Sequence, residues 1–86
     1  METEAVLALG WQHTPKGFVK RFYFLDFKEA LSFINRVGDF SEAHQHHPEI
    51  INNYNLVTLK LWTRDTDSLT EKDVHWVLAF EKQDQH

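Results

Sequence analysis

Asp26 to Phe40 reads DFKEALSFINRVGDF, and its spacing predicts a helix with strands on either side. Phe27, Ala30, Leu31, Ile34 and Val37 recur at helical intervals, and Phe33 and Phe40 widen the apolar stripe. Asp26 offers an N-cap, with Glu29 three residues on as its capping-box partner. Pro48 sets the far limit, because the residue before a proline is driven out of the α region.

On the amino-terminal side, Gly10, Pro15 and Gly17 punctuate the chain. Trp11 to Thr14 and Phe18 to Leu25 therefore read as strands joined by a Pro-Lys-Gly turn, the second of them (FVKRFYFL) rich in aromatic and β-branched residues. On the carboxy-terminal side, Glu49 to Asn53 is a short extended or turn segment. Leu56 to Thr63 alternates, with Val57, Leu59 and Leu61 on one face and Thr58, Lys60 and Trp62 on the other, the pattern of a half-buried antiparallel strand. Arg64 to Ser68 is a polar loop, after which Thr70 and Asp73 form a second capping pair opening a helix through about Lys82. The order β-β-α-β-β-α implies the α+β class, with helices packed on one face of an antiparallel sheet. No linker, low-complexity run or internal repeat divides the 86 residues, so a single domain over 1–86 is expected.

Composition removes whole classes of function. A chain that is 42% hydrophobic and 14% aromatic is too apolar for a disordered tail. The absence of cysteine excludes a disulfide framework, a thiolate zinc site and a cysteine nucleophile together. A net charge of −4 has the wrong sign for a phosphate-backbone binder, so no nucleic-acid partner is expected. Met1 to Leu9 carries two Glu and no Lys or Arg, unlike the positive start of a secretory signal. The longest apolar run, Trp76 to Phe80, is far short of the ~20 residues that span a bilayer. The expectation is a cytoplasmic protein with no membrane partner. Val74 and Trp76 to Phe80 make the last helix apolar most of the way round, more than so small a domain easily wraps. Its surplus face is expected to form a subunit interface.

Chemistry concentrates in Glu42-Ala43-His44-Gln45-His46-His47-Pro48, which holds three of the six histidines. Imidazoles near a helix C-terminus interact favourably with its carbonyls, worth about 0.3 to 1 kcal/mol each, which accounts for one histidine better than for three. Metal binding is a second reading, weakened because no HExxH motif or separated third ligand is evident. The third is acid–base catalysis, since imidazole, with an unperturbed pKa of about 6.5, both gives and takes a proton near neutrality. His13, His75 and His86 belong to no constellation. Trp62 could stack on a flat ring or fill a contact, and Tyr54 could line a pocket or the core.

Glu42, His46-His47-Pro48, Tyr54-Asn55, Val57 and Leu69-Thr70-Glu71-Lys72-Asp73 together resemble the pterin-4a-carbinolamine dehydratases. The likeness continues upstream through Gly10-Trp11, Phe22 to Phe24 and Asp26-Phe27, so it covers about Ala5 to Lys82. It implies a lyase that dehydrates a 4a-hydroxytetrahydropterin to quinonoid dihydropterin, without metal or organic cofactor. It implies helices against one face of a four-stranded antiparallel sheet, and a homodimer or homotetramer, here expected through the C-terminal helix.

The resemblance also implies site residues. His46 and His47 match the paired histidines, one transferring protons and one holding the pterin, with His46 favoured for the transfer. Glu42 is expected to bond an imidazole and set its tautomer. Pro48, Thr63, Arg64, Asp65 and Thr66 complete the expected substrate contacts, while His44 has no counterpart and is expected on the solvated surface. One departure is sharp: where the family usually carries a third histidine after Thr63, this chain has Arg64. Guanidinium cannot act as a general base, but it can donate fixed hydrogen bonds to a pterin carbonyl or the leaving oxygen. The rival function is a non-catalytic dimerisation module of the same fold.

Overall fold

The computed structural model describes residues 1–84 and 86. Two strands form its spine: β2 (Phe18–Tyr23) and β4 (Leu56–Leu61) pair antiparallel over their full length, from Phe18 opposite Leu61 to Tyr23 opposite Leu56. The hairpin partner β1 (Gln12–His13) flanks β2, and β3 (Glu49–Asn53) flanks β4, so the sheet is four-stranded and antiparallel in the order β1-β2-β4-β3. Three helices complete the chain: α1 (Thr3–Ala8), α2 (Phe27–His44) and α3 (Glu71–Gln83). The fold is α+β.

Alternation along β4 puts Val57, Leu59 and Leu61 on the helix side, where they are fully buried. They share the core with Val6 of α1, with Ala30, Phe33, Val37 and Phe40 of α2, and with Val74, Trp76, Val77 and Phe80 of α3. Aromatic rings fill much of it, Phe22 lying 4.7 Å from Phe33 and Phe40 5.1 Å from Trp76. Among the described residues no helix is long and apolar enough to cross a membrane.

Several boundaries and faces differ from the sequence reading. The first strand shrinks to Gln12–His13, and the second stops at Tyr23. Asp26 caps α2 as expected, its carboxylate accepting from the Glu29 amide at 2.9 Å. The helix is rotated, however: Ala30, Phe33, Val37 and Phe40 face the core, leaving Phe27 and Leu31 about 42% and 41% exposed. The short segment Glu49–Asn53 is a true edge strand, exposed along its length. Much of the apolar surface of α3 is covered within the chain, since α1 packs on α3 and both Trp76 and Phe80 are 1% exposed, while Leu78 and Ala79 are only partly buried. These two residues are core, and a charge at either would be buried in a single chain.

Lys20 breaks the alternation, sitting on the inward face of β2 between Phe18 and Phe22. Its ammonium meets Glu81 Oε2 at 2.7 Å and donates to the Leu9 carbonyl at 2.6 Å, while Trp11 Nε1 donates to the same Glu81 oxygen at 2.8 Å. The cluster ties the turn after α1 and strand β2 to the end of α3. Lys20→Ala is expected to cost about 3 kcal/mol, because it leaves the Glu81 carboxylate buried without its cation. Urea denaturation measures this, and a loss below about 1 kcal/mol would mean that the pair behaves as an ordinary surface bridge.

Candidate functional site

The last turn of α2 aims the histidine run. Gln45 takes the left-handed conformation (φ 52°), and the amides of Gln45 and His46 close onto the carbonyls of Glu42 and Ser41. This ends the helix and turns the next residues toward α3. His44 stays with the helix: its Nδ1 donates to the Phe40 carbonyl at 2.9 Å and its ring stacks on Phe40 at 3.9 Å. It serves the helix C-terminus and lies outside the histidine pair, on the surface as expected.

His46 is no free loop residue. Its Nε2 lies 2.6 Å from Asp73 Oδ1, and its carbonyl accepts from Trp76 Nε1 at 2.9 Å. The Asp73 side chain is wholly buried at the start of α3. Its second oxygen accepts from Thr63 Oγ1 at 2.8 Å and from the Thr70 amide at 2.9 Å. A buried carboxylate is tolerable only when its lone pairs are filled, and here three donors fill them at a helix N-terminus whose dipole favours the anion. The acceptor also assigns the tautomer: Nε2 carries the proton, and Nδ1 has no hydrogen-bond partner among the described residues. Asp73 therefore does two jobs, closing the capping box of α3 and gripping an imidazole. Its place in the capping pattern was visible in the sequence; the second job was not.

His47 points to the other partner. Its Nε2 is 2.6 Å from Glu42 Oε2, so Glu42 meets His47 rather than the His46 one helical turn on. Both side chains are well exposed, and the pair is worth about 0 to 1 kcal/mol to stability. Arg64 Nη1 donates to the His47 carbonyl at 2.9 Å, and its guanidinium carbon lies 5.0 Å from the centre of the Trp62 ring.

Thr63 and Ser68 exchange backbone hydrogen bonds around a tight turn over residues 64–67, which carries Arg64 back toward the histidines. Thr63 is buried, its hydroxyl 2.6 Å from that of Thr70. Asp65 and Thr66 lie exposed on the turn, where Thr66 accepts from the Ser68 hydroxyl at 3.0 Å; neither contacts a histidine. Pro48 is buried beside the pair. Tyr54 sits exposed at the far turn of the β3–β4 hairpin (φ 55°), neither in the core nor beside the histidines. Glu42, His46, His47, Thr63, Arg64 and Asp73 thus converge, and Asp65, Thr66 and Tyr54 do not. Chemically, the cluster offers one imidazole oriented by a buried anion, a second paired with an exposed one, and a permanent cation beside them.

A family model described as Pterin 4 alpha carbinolamine dehydratase matches residues 1–83. A protein of Thermomicrobium roseum, named provisionally as a pterin-4-alpha-carbinolamine dehydratase, is 38% identical over 65 residues, covering 76% of this chain and 70% of its own. One of Novosphingobium aromaticivorans with the same provisional name is 43% identical over 63 residues, 73% of this chain and 66% of its own. Among solved structures, a transcriptional coactivator/pterin dehydratase from Brucella melitensis is similar with a TM-score of 0.82 at 32% identity, covering 94% of this chain and 89% of that one.

Proposed function

The chain belongs to the pterin-4-alpha-carbinolamine dehydratase family, and from that premise we propose that it removes water from a 4a-hydroxytetrahydropterin by histidine acid–base catalysis. The observation that supports this most directly is His46 held through Nε2 by the buried Asp73, with Nδ1 unpartnered among the described residues. In the reaction the C4a–O bond breaks as the N5 lone pair forms a C4a–N5 double bond. One proton from a general acid joins the departing hydroxyl to make water, and one proton from a ring nitrogen returns to a base. The protein ends as it began, and each well-placed acid or base contributes about 10²- to 10⁴-fold.

His46 is the proton-transfer residue in this reading, exchanging through Nδ1 while Asp73 stabilises the imidazolium that forms. His47, Glu42 and Arg64 receive the pterin. The Arg64 guanidinium donates to the leaving oxygen or a ring carbonyl as negative charge develops, without moving a proton.

The test is a stopped-flow assay of dehydration of a synthetic 4a-hydroxytetrahydropterin. Acceleration over the buffer rate by at least about 10²-fold is expected, the contribution of a single placed acid–base group. A rate equal to buffer would refute the enzyme reading. It would favour a non-catalytic protein-interaction role, a reading in keeping with the Brucella protein's being named a transcriptional coactivator as well as a pterin dehydratase.

A further inference from the structure

The helix-free face of the sheet carries a cleft of about 420 Å³, lined among others by Lys16, Gly17, Val19, Glu49, Lys60 and Trp62. Its position is built rather than incidental. The hairpin turn is pinned by Thr14, whose amide donates to the Gly17 carbonyl at 2.8 Å and whose hydroxyl accepts from the Gly17 amide at 3.1 Å. Gly17 lies so close to β4 that a Cβ there would collide with the Leu61 carbonyl oxygen. The turn is therefore held against the strand end, and it brings the Lys16 ammonium to 4.9 Å from the centre of the Trp62 ring. The Arg64 guanidinium approaches the same ring at 5.0 Å while bonded to the His47 carbonyl. Trp62 thus has two cations on it, one reaching to the histidine pair and one to the cleft. Lys60 adds a third, in register between Val19 and Glu49.

In a chain with 13 acidic and nine basic residues this is a local reversal of sign. Two carboxylates offset part of it, Glu49 across from Lys60 and Asp67 3.7 Å from Lys16 between well-exposed side chains, leaving three cations against two anions. We propose that this cleft is an anion subsite, taking a phosphate monoester on the side chain of the pterin whose ring sits at His46 and His47. The inference rests on the proposed dehydratase reading and adds the substrate class. A phosphate offers several acceptor oxygens, enough to take both the Lys16 and the Lys60 ammonium that line the cleft, while Arg64 stays with the pterin ring.

Two 4a-hydroxytetrahydropterins test it, one with a 6-methyl group and one with a phosphorylated 6-side chain, alongside equilibrium dialysis of the corresponding stable 7,8-dihydropterins. The phosphorylated compound is expected to show about 10- to 100-fold higher kcat/KM and tighter binding, the range for one or two charge-assisted hydrogen bonds. That preference is expected to shrink as salt is raised, and to fall to near unity in Lys16→Ala combined with Lys60→Ala, with an unchanged melting temperature. Equal kcat/KM and equal affinity for the two wild-type substrates would overturn the subsite while leaving the dehydratase reading standing. Tighter binding of the phosphorylated dihydropterin with no turnover of either carbinolamine would do the reverse.

Discussion

Asp73→Asn is expected to lower kcat by about 10²- to 10⁴-fold, while KM moves little. The amide nearly matches the carboxylate in shape but presents an NH₂ where one lone-pair edge stood. Asp73 accepts from His46 Nε2, Thr63 Oγ1 and the Thr70 amide, and an asparagine cannot accept all three. If its oxygen stays with the Thr70 amide, its NH₂ faces His46 and forces the proton onto Nδ1, the nitrogen that must exchange it. If the amide flips, the cap of α3 is lost. Either outcome also costs about 1 to 3 kcal/mol of stability, since a buried donor goes unmet. Thr70→Ala separates the two effects, because it removes the cap hydroxyl and leaves the His46–Asp73 contact intact, at a cost of about 1 kcal/mol. Nitrogen-15 spectra of the histidine rings supply the decisive readout: the Nε2–H tautomer of His46 is expected in wild type and Thr70→Ala but not in Asp73→Asn. Equal kcat in Asp73→Asn and Thr70→Ala at matched stability would reduce Asp73 to a cap.

Local rules carried much of the fold. Asp26 and Glu29 marked the start of α2, Thr70 and Asp73 that of α3, and strict alternation marked β4, because each is a pattern readable within one turn or one strand. The phase of α2 was not readable. Its apolar residues cover so wide an arc that periodicity alone cannot say which edge faces the sheet, and the sheet chose Ala30, Phe33, Val37 and Phe40 over Phe27 and Leu31. Glu49–Asn53 has no period of two because both its faces are exposed; backbone pairing with β4 makes it a strand. On α3 a count of apolar positions could not tell which of them the chain itself covers: six residues of α1 pack on the helix, a partner lying about 70 residues away in sequence.

At the site, His46, His47 and Glu42 stood out by residue type and proximity in sequence, and Arg64 only as the residue where the family resemblance implies a third histidine. What could not be read was who holds whom. The partner of His46 lies 27 residues away across two strands, and Glu42 bonds the histidine five residues on, because the left-handed Gln45 breaks the helical spacing that would have offered His46.

That pairing predicts an asymmetry between the two histidines. His46→Ala is expected to lower kcat by about 10²- to 10⁴-fold with KM little changed, and His47→Ala to raise KM by about tenfold or more with a smaller effect on kcat. The argument is one of fixation: His46 is mostly buried and oriented by a carboxylate that water does not reach, whereas His47 is exposed and held by a carboxylate that is itself solvated. A proton-transfer group gains from the first environment, because stabilisation of the imidazolium is not screened there. A group that only binds the ring works in the second. The structural cost differs too, since His46→Ala removes one of the three donors on buried Asp73 and is expected to lose about 1 to 3 kcal/mol, while His47→Ala loses at most about 1 kcal/mol. Free imidazole added to His46→Ala separates catalysis from that structural loss: it is expected to restore part of kcat in proportion to its concentration, which repair of a weakened fold would not do. Restoration in His47→Ala but not in His46→Ala would exchange the two roles, and near-wild-type turnover in both variants would end the catalytic reading.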